Sequence, residues 1–117
     1  MPQRIPSVGS ADVERVVQRE FPRPLQASAL EILREFVSES GEPYRVQLAA
    51  LKLSSGDLGK LRGWIEHANL DFRDVLAAAE YPLAMTRTVS IESLSIGERE
   101  AIYDADWRQY ETWLQRS

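Results

Sequence analysis

Apolar residues recur three and four positions apart along most of this chain, the spacing that lines one face of an α-helix. After Ser10, the series Val13, Val16, Val17 and Phe21 predicts a short first helix, stopped by Pro22 and Pro24. Leu25, Ala29, Ile32, Leu33, Phe36 and Val37 predict a second, broken by Gly41 and Pro43. Pro43 also suits the first position of a third helix, where a missing amide hydrogen costs nothing. In that helix Val46, Leu48, Ala49, Ala50, Leu51 and Leu53 nearly encircle the axis, as a central core helix requires. Its alanines and the lack of adjacent β-branched residues weigh against a buried strand there.

Gly56 ends this third helix, and Leu58, Leu61, Ile65 and Ala68 mark the inner face of a fourth. Gly59 and Gly63 fall inside it, each at a cost of roughly 1 kcal/mol relative to alanine. They are either tolerated surface glycines or a small-residue face that lets two helices approach. Asp71-Phe-Arg-Asp74 reads as the acidic cap of a fifth helix with Phe72, Val75, Leu76 and Ala79 inward, closed by Pro82. Between Leu83 and Leu94, Thr86, Thr88 and Val89 have strand character, but a lone strand leaves its edges unpaired, so an extended connection is expected. Ser95 and Glu98 then form a capping box for a last helix reaching about Gln115. The expected fold is all-α, a compact bundle of five or six helices with the C-terminal one longest. Residues 10–117 make a single domain, and residues 1–9, with Pro2, Pro6 and Gly9, make a loosely held arm.

Composition narrows the classes. With 117 residues, 44% apolar and 27% charged, the chain is of ordinary globular type and long enough for one core. A formal charge of −4 argues against nucleic acid or an anionic membrane surface as a partner, apart from a local basic patch. There is no cysteine, hence no disulfide or thiol chemistry. The N-terminus lacks a signal-like apolar stretch and no segment is long enough to span a bilayer, so a cytoplasmic location is expected.

Most of the chemistry on offer lies on the last helix. One broad arc of it holds Ile96, Ile102, Tyr103, Trp107, Tyr110, Trp113 and Leu114, and also Arg99 and Asp106. Such an aromatic stripe is most often core; partner contact ranks next and small-ligand stacking last. Tyr103, Asp106, Trp107, Tyr110 and Trp113 are therefore the candidate interaction surface. Asp106 is the misfit, because a carboxylate among apolar side chains needs a charge partner or several donors. Arg99, two turns away, is not placed to serve.

The remaining candidates carry weaker signals. His67 is the only histidine, so one chain cannot make a multi-histidine metal site, and a surface or structural role is preferred. Asp71, Asp74 and Glu80 lack the spacing of a calcium loop, and Gly56, Gly59 and Gly63 lack the context of a phosphate cradle. No catalytic, cofactor-binding or metal-ligating set is assigned. The third helix, the Ser54-Ser55-Gly56 turn and the fourth helix, with Lys60 and Arg62, also fit a weak helix-turn-helix pattern.

The stretch Arg45-Val-Gln-Leu-Ala-Ala-Leu-Lys-Leu-Ser-Ser-Gly-Asp-Leu-Gly-Lys-Leu61, with Asp71-Phe-Arg-Asp-Val-Leu-Ala-Ala-Ala-Glu-Tyr-Pro82, resembles a group of small bacterial helical proteins without an assigned reaction. The resemblance implies a bacterial, cytoplasmic setting and transfers no catalytic residue. Together with Trp64 and His67, the polar members Arg73, Asp74, Glu80 and Tyr81 make a candidate polar surface. The leading functional expectation is a non-enzymatic protein-interaction or accessory module, self-association being one form of it. The alternatives are a small enzyme or ligand-binding protein with a polar pocket near His67, Glu80 or Asp106, and a helix-turn-helix DNA-binding protein.

Overall fold

The computed structural model describes residues 6–37, 39–85 and 93–116. Among the described residues six helices follow in order: α1 (Ser10–Glu20), α2 (Arg23–Arg34), α3 (Pro43–Ser54), α4 (Leu58–Glu80), the single turn α5 (Pro82–Met85) and α6 (Ile96–Gln115). The all-α bundle is as expected. Residues 1–5 of the expected arm lie outside the described residues, whereas Pro6 is buried and Val8 packs on the core.

Most helix ends follow from local chemistry. Asp12 accepts from the Gly9 amide at 2.9 Å where α1 starts, and prolines stand in the first turns of α2 and α3. At α6 the Ser95 hydroxyl accepts from the Glu98 amide at 3.1 Å, and the Glu98 carboxylate accepts from the Ser95 amide at 3.3 Å. The second helix stops at Arg34, earlier than the apolar spacing through Val37 suggests. Asn69 of α4 takes over there: its amide donates to the Glu35 carbonyl and its oxygen accepts from the Val37 amide, both at 2.9 Å. Val37 itself is left 79% exposed.

The expectation that the C-terminal helix is longest is overturned. It has 20 residues, while the internal α4 has 23. The reason is the junction between the fourth and fifth helices of the sequence pattern, which run on as one element. Asp71 alone leaves helical geometry, with φ −155° and ψ 96°, and its carboxylate accepts from the Arg73 amide at 3.1 Å. The cap anticipated at Asp71 is therefore present, but it restarts a helix along the same element. In the same region Pro82 opens α5 instead of only closing what precedes it. Residues 86–92 of the expected extended connection lie outside the described residues.

Packing is organised around α3, where Val46, Leu48, Ala49, Ala50 and Leu51 have no exposure to solvent. α4 covers it with Leu61, Ile65, Ala68, Val75 and Ala79, and α1 with Val13, Val16 and Val17. Tyr110 and Trp113 bring α6 into the same core. The turn after α3 places Ser55 and Gly56 in the left-handed region, at φ 51° and 79°. A Cβ on Gly56 would stand 2.8 Å from the Glu20 carbonyl oxygen, because the end of α1 crosses this turn. Gly63, by contrast, is exposed and a Cβ there would meet nothing within 4 Å; Gly59 would meet only the Asp57 carboxylate. These two are surface glycines and not a helix-contact face.

Gly56→Ala is thus expected to lower stability by about 1–3 kcal/mol, combining a left-handed backbone with a backbone clash. Gly63→Ala is expected to raise it by about 0.5–1 kcal/mol. Urea unfolding of both variants checks the pair; equal effects would contradict the distinction drawn between the two glycines.

Candidate functional site

The aromatic arc of α6 divides. Tyr110 and Trp113 are 1% and 6% exposed and belong to the core, with ring centroids 5.6 Å apart. Tyr103 and Trp107 are half-buried, and Ile96 is 65% exposed. The C-terminal end of this helix is held by α1. Arg15 donates to the Leu114 carbonyl at 2.8 Å, Arg19 donates to the Leu114 and Arg116 carbonyls, and the Arg19 guanidinium lies 5.1 Å from the Trp113 ring centroid. The last turn of α6 has no basic residue of its own, so cations from another helix complement its carbonyl end. Sequence reasoning missed both arginines, since on α1 they look like ordinary solvent-facing charges.

Asp106 is fully buried beneath α5. Its carboxylate accepts from the Leu83 amide at 2.9 Å and the Ala84 amide at 3.1 Å, and so anchors that turn to α6. It finds backbone donors, the second of the two solutions open to a buried carboxylate. Burial pushes its pKa above the usual aspartate value, against the opposing pull of the two amides and the charge of Lys52.

Glu80 is the other buried carboxylate, 4% exposed. It forms a two-point ion pair with Arg45 of α3, Nε to Oε2 at 2.9 Å and Nη2 to Oε1 at 2.7 Å, while Arg45 Nη1 reaches Glu42 at 2.8 Å. The bond to Glu80 pushes the guanidinium pKa still further up, against the effect of burial. Tyr81 adjoins this pair, and burial followed by the Glu80 charge pushes its phenol up. The Tyr110 hydroxyl, buried near the same charges, has no hydrogen-bond partner among the described residues. Arg45 was missed as a site residue. The available signal was Glu80 itself, an acid four residues after Leu76 and one after Ala79 on an inward face.

Of the candidate polar surface, only part comes together. His67 Nε2 is 3.3 Å from Asp74 Oδ2 on the open side of α4, and its ring lies 5.8 Å from that of Trp64. Arg73 pairs with Asp71 at 3.1 Å and holds that carboxylate below its usual pKa. Glu80 and Tyr81 are turned to Arg45 instead. On the helix-turn-helix surface Arg62 is bound to Glu35 at 3.0 and 3.1 Å, and the exposed side of α4 also carries Glu66 and Asp74. No described helix is long and apolar enough to cross a membrane.

Surface grooves open between the described elements. One of about 610 Å³ lies where the ends of α1, α3 and α6 meet and is lined by Lys52, Arg108 and Arg116 among others. A second of about 460 Å³ runs between α1, α2 and α3, over Leu30, Phe36 and Tyr44. A third of about 330 Å³ lies beside Pro6 and Arg45. None of these three is lined by His67, Glu80 or Asp106. No family model matches the chain, and neither a curated protein nor a solved structure matches it.

Two outcomes test the buried carboxylates. Arg45→Met leaves Glu80 buried without its counter-charge and is expected to cost about 3–5 kcal/mol, whereas Arg45→Met with Glu80→Leu recovers most of that loss. Chemical denaturation of the single and double variants checks it, and a double variant no better than the single contradicts it. Asp106 binds its proton more tightly in the folded than in the unfolded chain. The stability this contributes is present below its unfolded pKa and lost as pH rises through the folded one. Relative to Asp106→Asn, the wild-type chain should therefore gain stability as pH falls from about 7 to about 4. Unfolding midpoints of the two proteins across that range show the sign; a relative loss would mean that amide bonding outweighs burial.

Proposed function

We propose that this chain is a non-enzymatic interaction module that pairs with a second copy of itself through α5 and the adjoining part of α6. The observation that carries this reading is the exposure of large apolar side chains on those two elements: Leu83 at 49%, Met85 at 52% and Ile96 at 65%. Tyr103 and Trp107, half-buried on α6, add aromatic area of the kind enriched at interfaces. Asp106 fixes α5 to α6 through two amide bonds, so this surface is offered by an anchored element. Covering such side chains gains about 1.5–3 kcal/mol for each one fully buried.

The acid–base reading draws less support. Glu80 is engaged by Arg45, Asp106 by backbone amides, and His67 stands with Asp74 on an open face. Each of these groups has a structural partner that accounts for its position. A bacterial, cytoplasmic setting accompanies the proposal on the strength of the sequence resemblance.

Light scattering coupled to size exclusion, over concentrations up to roughly 1 mM, is expected to show a monomer–dimer equilibrium. Ile96→Glu keeps the fold, since an acid is favourable in a first helical turn, and should weaken association by at least about tenfold. Trp107→Ala should weaken it as well. A monomer at every concentration, or a dimer indifferent to both substitutions, would sink this reading.

A further inference from the structure

The groove at the meeting of α1, α3 and α6 stands apart from the chain's acidic balance. Lys52 and Ser55 come from the end of α3, Arg108, Thr112 and Arg116 from one side of α6, and Glu20 from the end of α1. Among the described residues, Lys52, Arg108 and Arg116 form no ion pair, while Glu20 is bound to Arg19 at 2.9 Å. Asp106, the carboxylate whose charge acts on Lys52, spends its oxygens on the Leu83 and Ala84 amides. Three cations thus share one concavity of about 610 Å³, a volume within the range of small-molecule sites.

Helix-end electrostatics explain only part of this cluster. Cations are favourable at helix C-termini, and Lys52 and Arg116 stand at two of them. The last carbonyls of α6, however, are already taken by Arg15 and Arg19, and Arg108 lies two turns inside the helix. Lys52 is partly buried, and Arg116 is close enough for its charge to disfavour that of Lys52. Like charges held together beside a groove, with neutral hydroxyls of Ser55 and Thr112 on its walls, are relieved by an anion placed between them.

We infer that this groove is a binding site for a small phosphorylated molecule, its phosphate held by Lys52, Arg108 and Arg116. A phosphate dianion matches the excess of cations better than a carboxylate, and guanidinium groups meet its oxygens in pairs. The site lies on the opposite side of α6 from the proposed self-association face, so it does not depend on dimer formation.

The test is a titration of the full chain with inorganic phosphate and with adenosine monophosphate, read by amide and side-chain NMR at constant ionic strength. Saturable shifts centred on Lys52, Arg108 and Arg116 are expected. Arg108→Gln, at an exposed position, should weaken binding about tenfold or more, whereas Arg23→Gln, an exposed cation elsewhere, should leave it unchanged. Shifts spread over Arg23, Lys60 and Arg99, or binding unaffected by Arg108→Gln and by Lys52→Gln, would mean general ion pairing and overturn the inference. So would the absence of saturation by roughly 10 mM of either probe. A duplex oligonucleotide is titrated in parallel; binding of the duplex alone would assign the basic groove to a nucleic-acid backbone and overturn the small-ligand site.

Discussion

A helix withdrawn from water on every side must be covered on every side, and α3 is such a helix between Leu48 and Leu51. Leu48, Ala49, Ala50 and Leu51 follow one another around the axis with no solvent face among them. The alanines present little bulk where neighbours approach, while Val46 and the leucines fill the remaining space. α1 and α4 pack directly on this helix, and α6 adds Tyr110 and Trp113 to the same core. Even the polar residue just before the stretch, Gln47, is used to tie α3 to the α2 backbone, donating to the Leu33 carbonyl at 3.1 Å.

The same constraint drives polar chemistry to the two ends of α3. Arg45 near its start and Lys52 near its finish are the cations that its burial partly dehydrates. Arg45 is answered by a carboxylate delivered from the end of α4, with both oxygens engaged, which offsets the cost of removing two charges from water. Lys52 receives no such contact. Asp106 acts on it only through its charge, because its oxygens are committed to holding α5. The asymmetry follows from what packs at each end. Glu80 lies at the end of a long helix running along α3, whereas at the other end three helix termini meet and leave a groove.

Repeating patterns were legible in the sequence, and pairings between distant residues were not. The inward positions of α1, the central role of Val46–Leu51, the Ser95–Glu98 box and the helix end at Gly56 all rest on spacing or on one residue's conformational freedom. Asp71 shows the limit of such signals. Its capping chemistry was readable, yet whether a cap begins a separate helix or restarts the same one depends on the direction that follows, and local sequence does not encode it. The end of α2 was misplaced for a related reason, since Asn69, more than thirty positions away, supplies the groups that replace its next turn. Arg45 with Glu80, and Arg15 and Arg19 with the end of α6, depend on helix placement in the same way.

Placement also explains why the aromatic arc of α6 has no single role. At about 100° per residue, Asp106, Tyr110 and Trp113 occupy one sector and turn inward, while Ile96, Tyr103 and Trp107 lie in the next and keep part of their surface exposed. Arg108, Thr112 and Arg116 fill a third sector across the axis, facing the groove. The first sector is obligatory, because α3 and α4 need its apolar area as cover. The other two are free of that demand, and their residue types diverge accordingly: apolar and aromatic on one side, cationic and hydroxylic on the other. Such segregation has an electrostatic consequence that a net charge of −4 conceals. Carboxylates that balance cations elsewhere, such as Glu35 with Arg62 or Asp71 with Arg73, are absent among the described residues as direct partners of Lys52, Arg108 and Arg116. An approaching anion responds to the local field within about a Debye length and not to the sum over the chain.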